Sequence, residues 1–187
     1  DKDRQKIGSV SVEDKEQVAF KFKLNITDEA QRLRFSVGAQ EDANCTDPKG
    51  YGLEIGVRFD SNPYKKSYVI FSRNGHWLKH SWNLDDIDFY ELIGEHDFEF
   101  GYRNIMLGSQ IIGKQIYLKM DGAELYTYDD MEGYLTGDAL GTKVAIHYSN
   151  NNATAPLQLE STYDFKCYDI SELTGSNSNT YNGAGNG

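Results

Sequence analysis

Apolar and polar residues alternate with period two from near the N-terminus to about residue 165, which predicts strands rather than helices. Val18, Phe20, Phe22, Leu24 and Ile26 alternate with Ala19, Lys21, Lys23 and Asn25, setting one apolar row against a core and a mostly polar row in water. Leu33, Phe35 and Val37 repeat the pattern between Arg32, Arg34 and Ser36. Leu53, Ile55, Val57 and Phe59 repeat it with Gly52, Glu54, Gly56 and Arg58 on the opposite side. Glycines inside a strand mark a bulge or something lying close against that face. Tyr68, Val69, Ile70 and Phe71 form a continuous apolar run, as a central strand covered on both faces requires.

Further strands are predicted around Phe98–Tyr102, Ile116–Met120, Ala123–Tyr128, Val144–Tyr148 and Leu157–Leu159, with one short helix of mixed spacing within Leu84–Ile93. Asp121 and Gly122, between two alternating segments, predict a hairpin, because a type I′ turn needs two residues that tolerate positive φ. About ten strands at hairpin spacing make the expected fold class all-β, a two-sheet antiparallel β-sandwich. Residues 1–173 are read as one such domain. Residues 174–187 are almost entirely Gly, Ser, Asn and Thr, and read as a flexible tail or linker to a neighbouring domain of a larger multidomain protein.

Charge narrows the partners. The 187 residues carry 19 Lys and Arg against 29 Asp and Glu, a formal charge of -10, which opposes nucleic acid and anionic membrane surfaces alike. No apolar run approaches the roughly 20 residues that span a bilayer, so no membrane insertion is expected. The first residues, Asp1 to Lys6, are charged rather than a signal peptide, and the chain reads as a mature or excised piece of a secreted or cell-surface protein. Cys45 and Cys167 suit one long-range disulfide in an oxidising compartment or two buried thiols, and both readings stay open.

Glu95, Asp97 and Glu99 stand two apart on one strand while Phe98 and Phe100 take the other side. Carboxylates on one face about 5 Å apart are the equipment of a retaining glycosidase. The stretch Glu95-His96-Asp97-Phe98-Glu99 resembles the Glu-x-Asp-x-Glu strand of the laminarinase and lichenase group, which shares a concanavalin A-like jelly roll. Gln115 to Gly122 is similar to the Tyr-x-Asp-Gly hairpin of that superfamily. In the enzymes several cleft-forming strands separate these two features, whereas here about twenty residues do. The resemblance therefore implies a jelly roll of the laminin G-like, non-catalytic branch, with the three carboxylates an acidic solvated face; catalysis by them is the alternative.

Trp77, Trp82 and Tyr90 sit among His80, Asn83 and other polar residues. Flat indoles stack on the apolar faces of sugar rings, and amides and imidazoles reach the hydroxyls; packing between the sheets is the competing reading for each Trp. His76 and His80 have a metal-like spacing, but without helical periodicity they are expected to be ordinary surface histidines. Asp42, Asn44 and Asp47 form an oxygen-rich loop that suits Ca2+, against the preferred reading of a plain Asx-rich turn. No cofactor is expected beyond that possible Ca2+. Nucleophile elbows and phosphate loops are absent from the sequence.

The leading expectation is a non-catalytic carbohydrate-binding module or lectin-like adhesion domain, with a polysaccharide or glycan as partner and Trp77, Trp82, His80, Asn83 and Tyr90 as its contacts. The alternatives are a glycoside hydrolase acting through Glu95, Asp97 and Glu99, and a protein-binding adhesion or scaffold domain.

Overall fold

The period-two alternation is realised as strands throughout a computed structural model of the chain, which describes residues 4–11, 17–26, 31–37, 50–59, 65–80, 92, 94–132, 143–150, 158–159, 167–169 and 178–180. In chain order the strands are β1 (Arg4–Ser11), β2 (Val18–Ile26), β3 (Gln31–Val37), β4 (Tyr51–Phe59), β5 (Lys65–Arg73), β6 (His76–His80) and β7 (Gly94–Leu107). There follow β8 (Gln110–Met120), β9 (Ala123–Asp130), β10 (Lys143–Asn150), β11 (Gln158–Leu159), β12 (Cys167–Asp169) and β13 (Ser178–Thr180). One sheet has six strands in the order β1-β10-β3-β4-β5-β6. The other has seven, β11-β2-β7-β8-β9 with β12 on β2 and β13 on β7. The chain passes between the sheets after β1, β2, β6, β9 and β10, the wrapping of a jelly-roll sandwich. Every pairing is antiparallel except that of Ser178–Thr180, in the segment read as a tail, which runs parallel to Asn104–Met106.

The apolar rows read from the sequence meet between the sheets. Phe20, Phe22 and Leu24 of β2, Phe98 and Phe100 of β7, and Ile116 and Leu118 of β8 face Leu53 and Ile55 of β4 and Val69 and Phe71 of β5. Phe71 crosses the interface to within 6.2 Å of Phe100 and 5.1 Å of Tyr126, ring centre to ring centre. Tyr68 and Ile70 are also buried although they alternate with the core-facing pair, as the continuous run in β5 predicts. Of the segment read as a short helix, only Leu92 is described; it is helical and buried.

Turn chemistry fixes the hairpins. Asp121 and Gly122 both have positive φ, 51° and 84°, so the predicted β8–β9 turn forms as expected. Asn74 and Gly75 do the same between β5 and β6, at 51° and 81°. In the β7–β8 turn only Gly108 is positive, at 61°, as in a type II′ turn.

Candidate functional site

The short β5–β6 hairpin carries two of the residues singled out in the sequence and is fastened at three points. Its turn is tied to the start of β4, where Asn74 N–H donates to the Gly50 carbonyl at 2.9 Å and Gly50 N–H donates to Asn74 Oδ1 at 2.8 Å. Its base is tied to the other sheet: Arg73 at the end of β5 forms an ion pair with the buried Asp130 of β9 at 2.5 Å, and the Tyr51 hydroxyl donates to the same carboxylate at 2.9 Å. Burial first, and then the Asp130 charge, push the Tyr51 phenol far above its ordinary range, so it stays a donor. On β6 itself, Lys79 donates to the Thr127 carbonyl of β9 at 3.0 Å and lies over the Tyr126 ring. Leu78 packs against the core.

Because Lys79 and Leu78 turn inward, their neighbours turn out. Trp77 stands opposite Ser72 and His80 opposite Ile70, the two ladder positions that alternate with core-facing Phe71. Trp77 is 55% exposed, and its ring lies 5.3 Å from that of His80. Among the described residues it is one of three large apolar side chains left this open to solvent, with Leu107 and Met131, and the only aromatic one of the three. Gly52, Glu54 and Gly56 of β4 occupy the same outer face, two strands away, opposite Ser72, Ile70 and Tyr68. The Tyr68 hydroxyl donates to Glu54 Oε1 at 2.8 Å, which holds that carboxylate in one orientation. On this face Glu54 is half-buried and Gly52, Gly56, Tyr68 and Ile70 are buried, so exposure is confined to the sheet edge, where Trp77 and His80 stand. Glu54 and Tyr68 were not singled out in the sequence; only the ladder register brings them beside β6.

His76 pairs with Arg73 and His80 with Ile70, positions of opposite alternation, so the two imidazoles lie on different faces of β6. Among the described residues no cluster of three or more His, Cys, Asp or Glu side chains is placed to hold a metal. Trp82, Asn83 and Tyr90, the loop Asp42, Asn44 and Asp47, and Cys45 lie outside the described residues. Cys167 pairs with Phe20 in the ladder.

The carboxylate strand belongs to the opposite side of the molecule. Glu95, Asp97 and Glu99 lie on the outer face of the seven-stranded sheet, opposite Asn25, Lys23 and Lys21 of β2. Lys23 reaches Glu95 at 3.4 Å and Asp97 at 3.7 Å, with side chains 55% and 72% exposed. Glu99 accepts from the Tyr117 hydroxyl at 2.7 Å and lies 4.0 Å from Lys119. Cross-strand charge pairing of this kind stabilises a sheet by about 0.2–1 kcal/mol per pair.

Nearby, His96 Nδ1 lies 2.6 Å from Asp121 Oδ2, and Asp121 Oδ1 accepts from Asp97 N–H at 3.0 Å. The contact with His96, and then that with the Asp97 backbone, hold the Asp121 carboxyl below its ordinary value of 3.8. A folded-state value below the unfolded one gives stability that is present above the unfolded value and lost as pH falls through the folded one. The Asp121 carboxyl is therefore expected to titrate below 3.8 by NMR. Asp121→Asn should flatten the acid limb of the stability profile below about pH 4 while leaving stability at pH 7 within about 1 kcal/mol, as suits an exposed pair.

Neither a protein-family model nor a curated sequence matches the chain. Among solved structures, a tetrameric galectin from the ball sponge Cinachyrella superposes with a TM-score of 0.47 at 15% identity, over 84% of this chain and 97% of that one. Sheep galectin-11 gives 0.45 at 12% identity over 86% and 95%. A homodimeric agglutinin from chicken liver gives 0.44 at 11% over 87% and 98%. These similarities are too distant to carry a ligand or a residue role across to this chain.

Proposed function

We infer that this domain is a non-catalytic carbohydrate-binding module or lectin-like adhesion domain of a secreted or cell-surface protein, of the laminin G-like branch that the short spacing between its carboxylate strand and its Asp-Gly hairpin suggests. The observation that carries the reading is the half-exposed Trp77 beside His80 on a hairpin fastened at three points. A rigid, exposed indole is a stacking platform for the apolar face of a sugar ring, and its placement before binding lowers the ordering cost of association. Glu54, oriented by Tyr68, supplies an acceptor for hydroxyl donors on the same face. Trp82, Asn83 and Tyr90 follow β6 in sequence and are proposed to complete the contact.

A glycan array probed with the intact chain and with Trp77→Ala tests the reading. Binding by the intact chain, reduced about five- to 150-fold by the substitution, is expected, since stacking on an aromatic ring is worth about 1–3 kcal/mol. Binding that survives Trp77→Ala and Trp82→Ala together removes these residues from the site, and absence of any glycan ligand overturns the function.

A further inference from the structure

β7 outruns its neighbour. β2 pairs with it from Gly94 to Tyr102, and from Arg103 to Leu107 the side that β2 leaves would present a bare strand edge. The Gln17 side chain takes up one donor there, accepting from Asn104 N–H at 2.9 Å. β8 fills the other side of β7 along this stretch. Ser178–Thr180 therefore lies in the lane that β2 vacates, where it pairs in parallel with Asn104–Met106.

This edge belongs to a part of the chain poorly suited to an open one. The ten residues from Asn104 to Gly113 carry no charge and include Ile105, Met106, Leu107, Ile111 and Ile112, a composition prone to pair strand to strand between chains. The cations on either side of it do not protect the edge. Arg103 is drawn across the sheet, donating to Gln115 and to Glu124 at 2.8 Å each and lying over the Tyr117 ring. Lys114 turns inward, is buried, and donates to the Asn104 side chain. Leu107 and Met131, two of the three exposed large apolar side chains among the described residues, lie at this end of the sheet. Met131 Sδ would stand 3.2 Å from a Cβ at Gly113, the ladder partner of Ile105.

We propose that Ser178–Thr180 guards the β7 edge within its own chain, and that the edge, once released, pairs with the same edge of a second copy. A strand of three polar residues ends the sheet with little for another chain to extend. Drawn from a Gly-, Ser- and Asn-rich segment, it is also released at low cost. Two β7 edges meeting antiparallel about a two-fold axis form an isologous contact, in which each copy gives and receives the same stretch and sets its Leu107 close to the joint. Trp77 stands on the other sheet, so this association is independent of glycan binding.

Sedimentation of the intact chain and of the chain ended after Leu173, across about a hundredfold range of concentration, tests the assignment. The shortened chain is expected to form a dimer that the intact chain does not. At concentrations where it is monomeric, its Met106 amide, which points with that of Asn104 into the vacated lane, should exchange at least about tenfold faster than in the intact chain. Asn179→Pro in the intact chain, which keeps the length and removes a backbone donor from the guarding strand, should give the same dimer. Leu107→Lys in the shortened chain should return it to the monomer, because a charge beside an open edge opposes pairing but does not cure a general unfolding. Equal masses for the intact chain and both of the unguarded forms overturn the guarding role. An unchanged Met106 exchange rate overturns the pairing, and association that persists with Leu107→Lys overturns the assignment of the edge.

Discussion

Asp130→Ala is expected to lower the unfolding free energy by about 3 kcal/mol, the lower end of what breaking a buried ion pair costs. Asp130 joins the two sheets at this point: its carboxylate takes the Arg73 guanidinium and the Tyr51 hydroxyl, and its side chain is only 4% exposed. Removal leaves the Tyr51 phenol, which burial keeps protonated, without that acceptor. Arg73 fares better, because its side chain is 19% exposed and Glu132 lies 3.4 Å away. For a domain of this size about 3 kcal/mol is a fall in Tm of roughly 6–12 °C. Asp130→Asn, which keeps an acceptor but not the charge, should fall between. Urea unfolding that places Asp130→Ala within about 0.5 kcal/mol of the parent, the range of ordinary surface changes, would contradict the account. Because Arg73 directly precedes the Asn74-Gly75 turn, the same substitution loosens the base of the hairpin that presents Trp77, and glycan binding should weaken with it.

Gly101→Ala comes next, at about 3 kcal/mol, the upper end of the cost of overpacking. A Cβ at Gly101 would stand 2.4 Å from the Val18 carbonyl oxygen and 2.9 Å from the Tyr117 ring and hydroxyl. The ring crosses this strand because no side chain stands there, with Glu99 accepting from its hydroxyl and Arg103 over its face at 4.5 Å. The Val18 oxygen is backbone and cannot swing aside, so β2 and β7 must part. The double variant Gly101→Ala, Tyr117→Ala should therefore fail to recover the stability of Tyr117→Ala alone. Gly108→Ala gives the contrast: its Cβ meets nothing within 4 Å, and only the positive φ of 61° is strained, for about 1 kcal/mol.

The alternation in β2 and the continuous run in β5 were legible because both strands are central and regular, so period two survives over their length. β1 was not, because Ile7 and Val10 stand three apart in the sequence and the pairing accommodates this only by a register shift between Lys6 and Gly8. β6 was not predicted as a strand for a similar reason. A register shift beside Phe71 and Ser72 lets Trp77 and His80 face out while Leu78 and Lys79 face in. The Asn74-Gly75 dipeptide was itself a sufficient turn signal, hidden by the irregular strand after it. At the site, Trp77 and His80 were visible as residue types. Glu54 and Tyr68 were not, because they lie far back along the chain and only the pairing of β4, β5 and β6 assembles the face. The Glu95, Asp97 and Glu99 series was correctly placed on one strand face; its cross-strand cations Lys23 and Lys119 became visible only with the register.

The central claim is that ligand recognition belongs to the outer face of the six-stranded sheet, at Trp77, and not to the carboxylate strand on the opposite side. A titration of the isotope-labelled chain with the best-binding glycan, followed by amide and indole NMR shifts, tests it most directly. The predicted result is a saturable shift of the Trp77 indole N–H together with the amides of Glu54, Tyr68 and His80, with Glu95, Asp97 and Glu99 unmoved. Shifts confined to Glu95–Glu99 and the facing residues of β2, with the Trp77 indole unchanged, would contradict it.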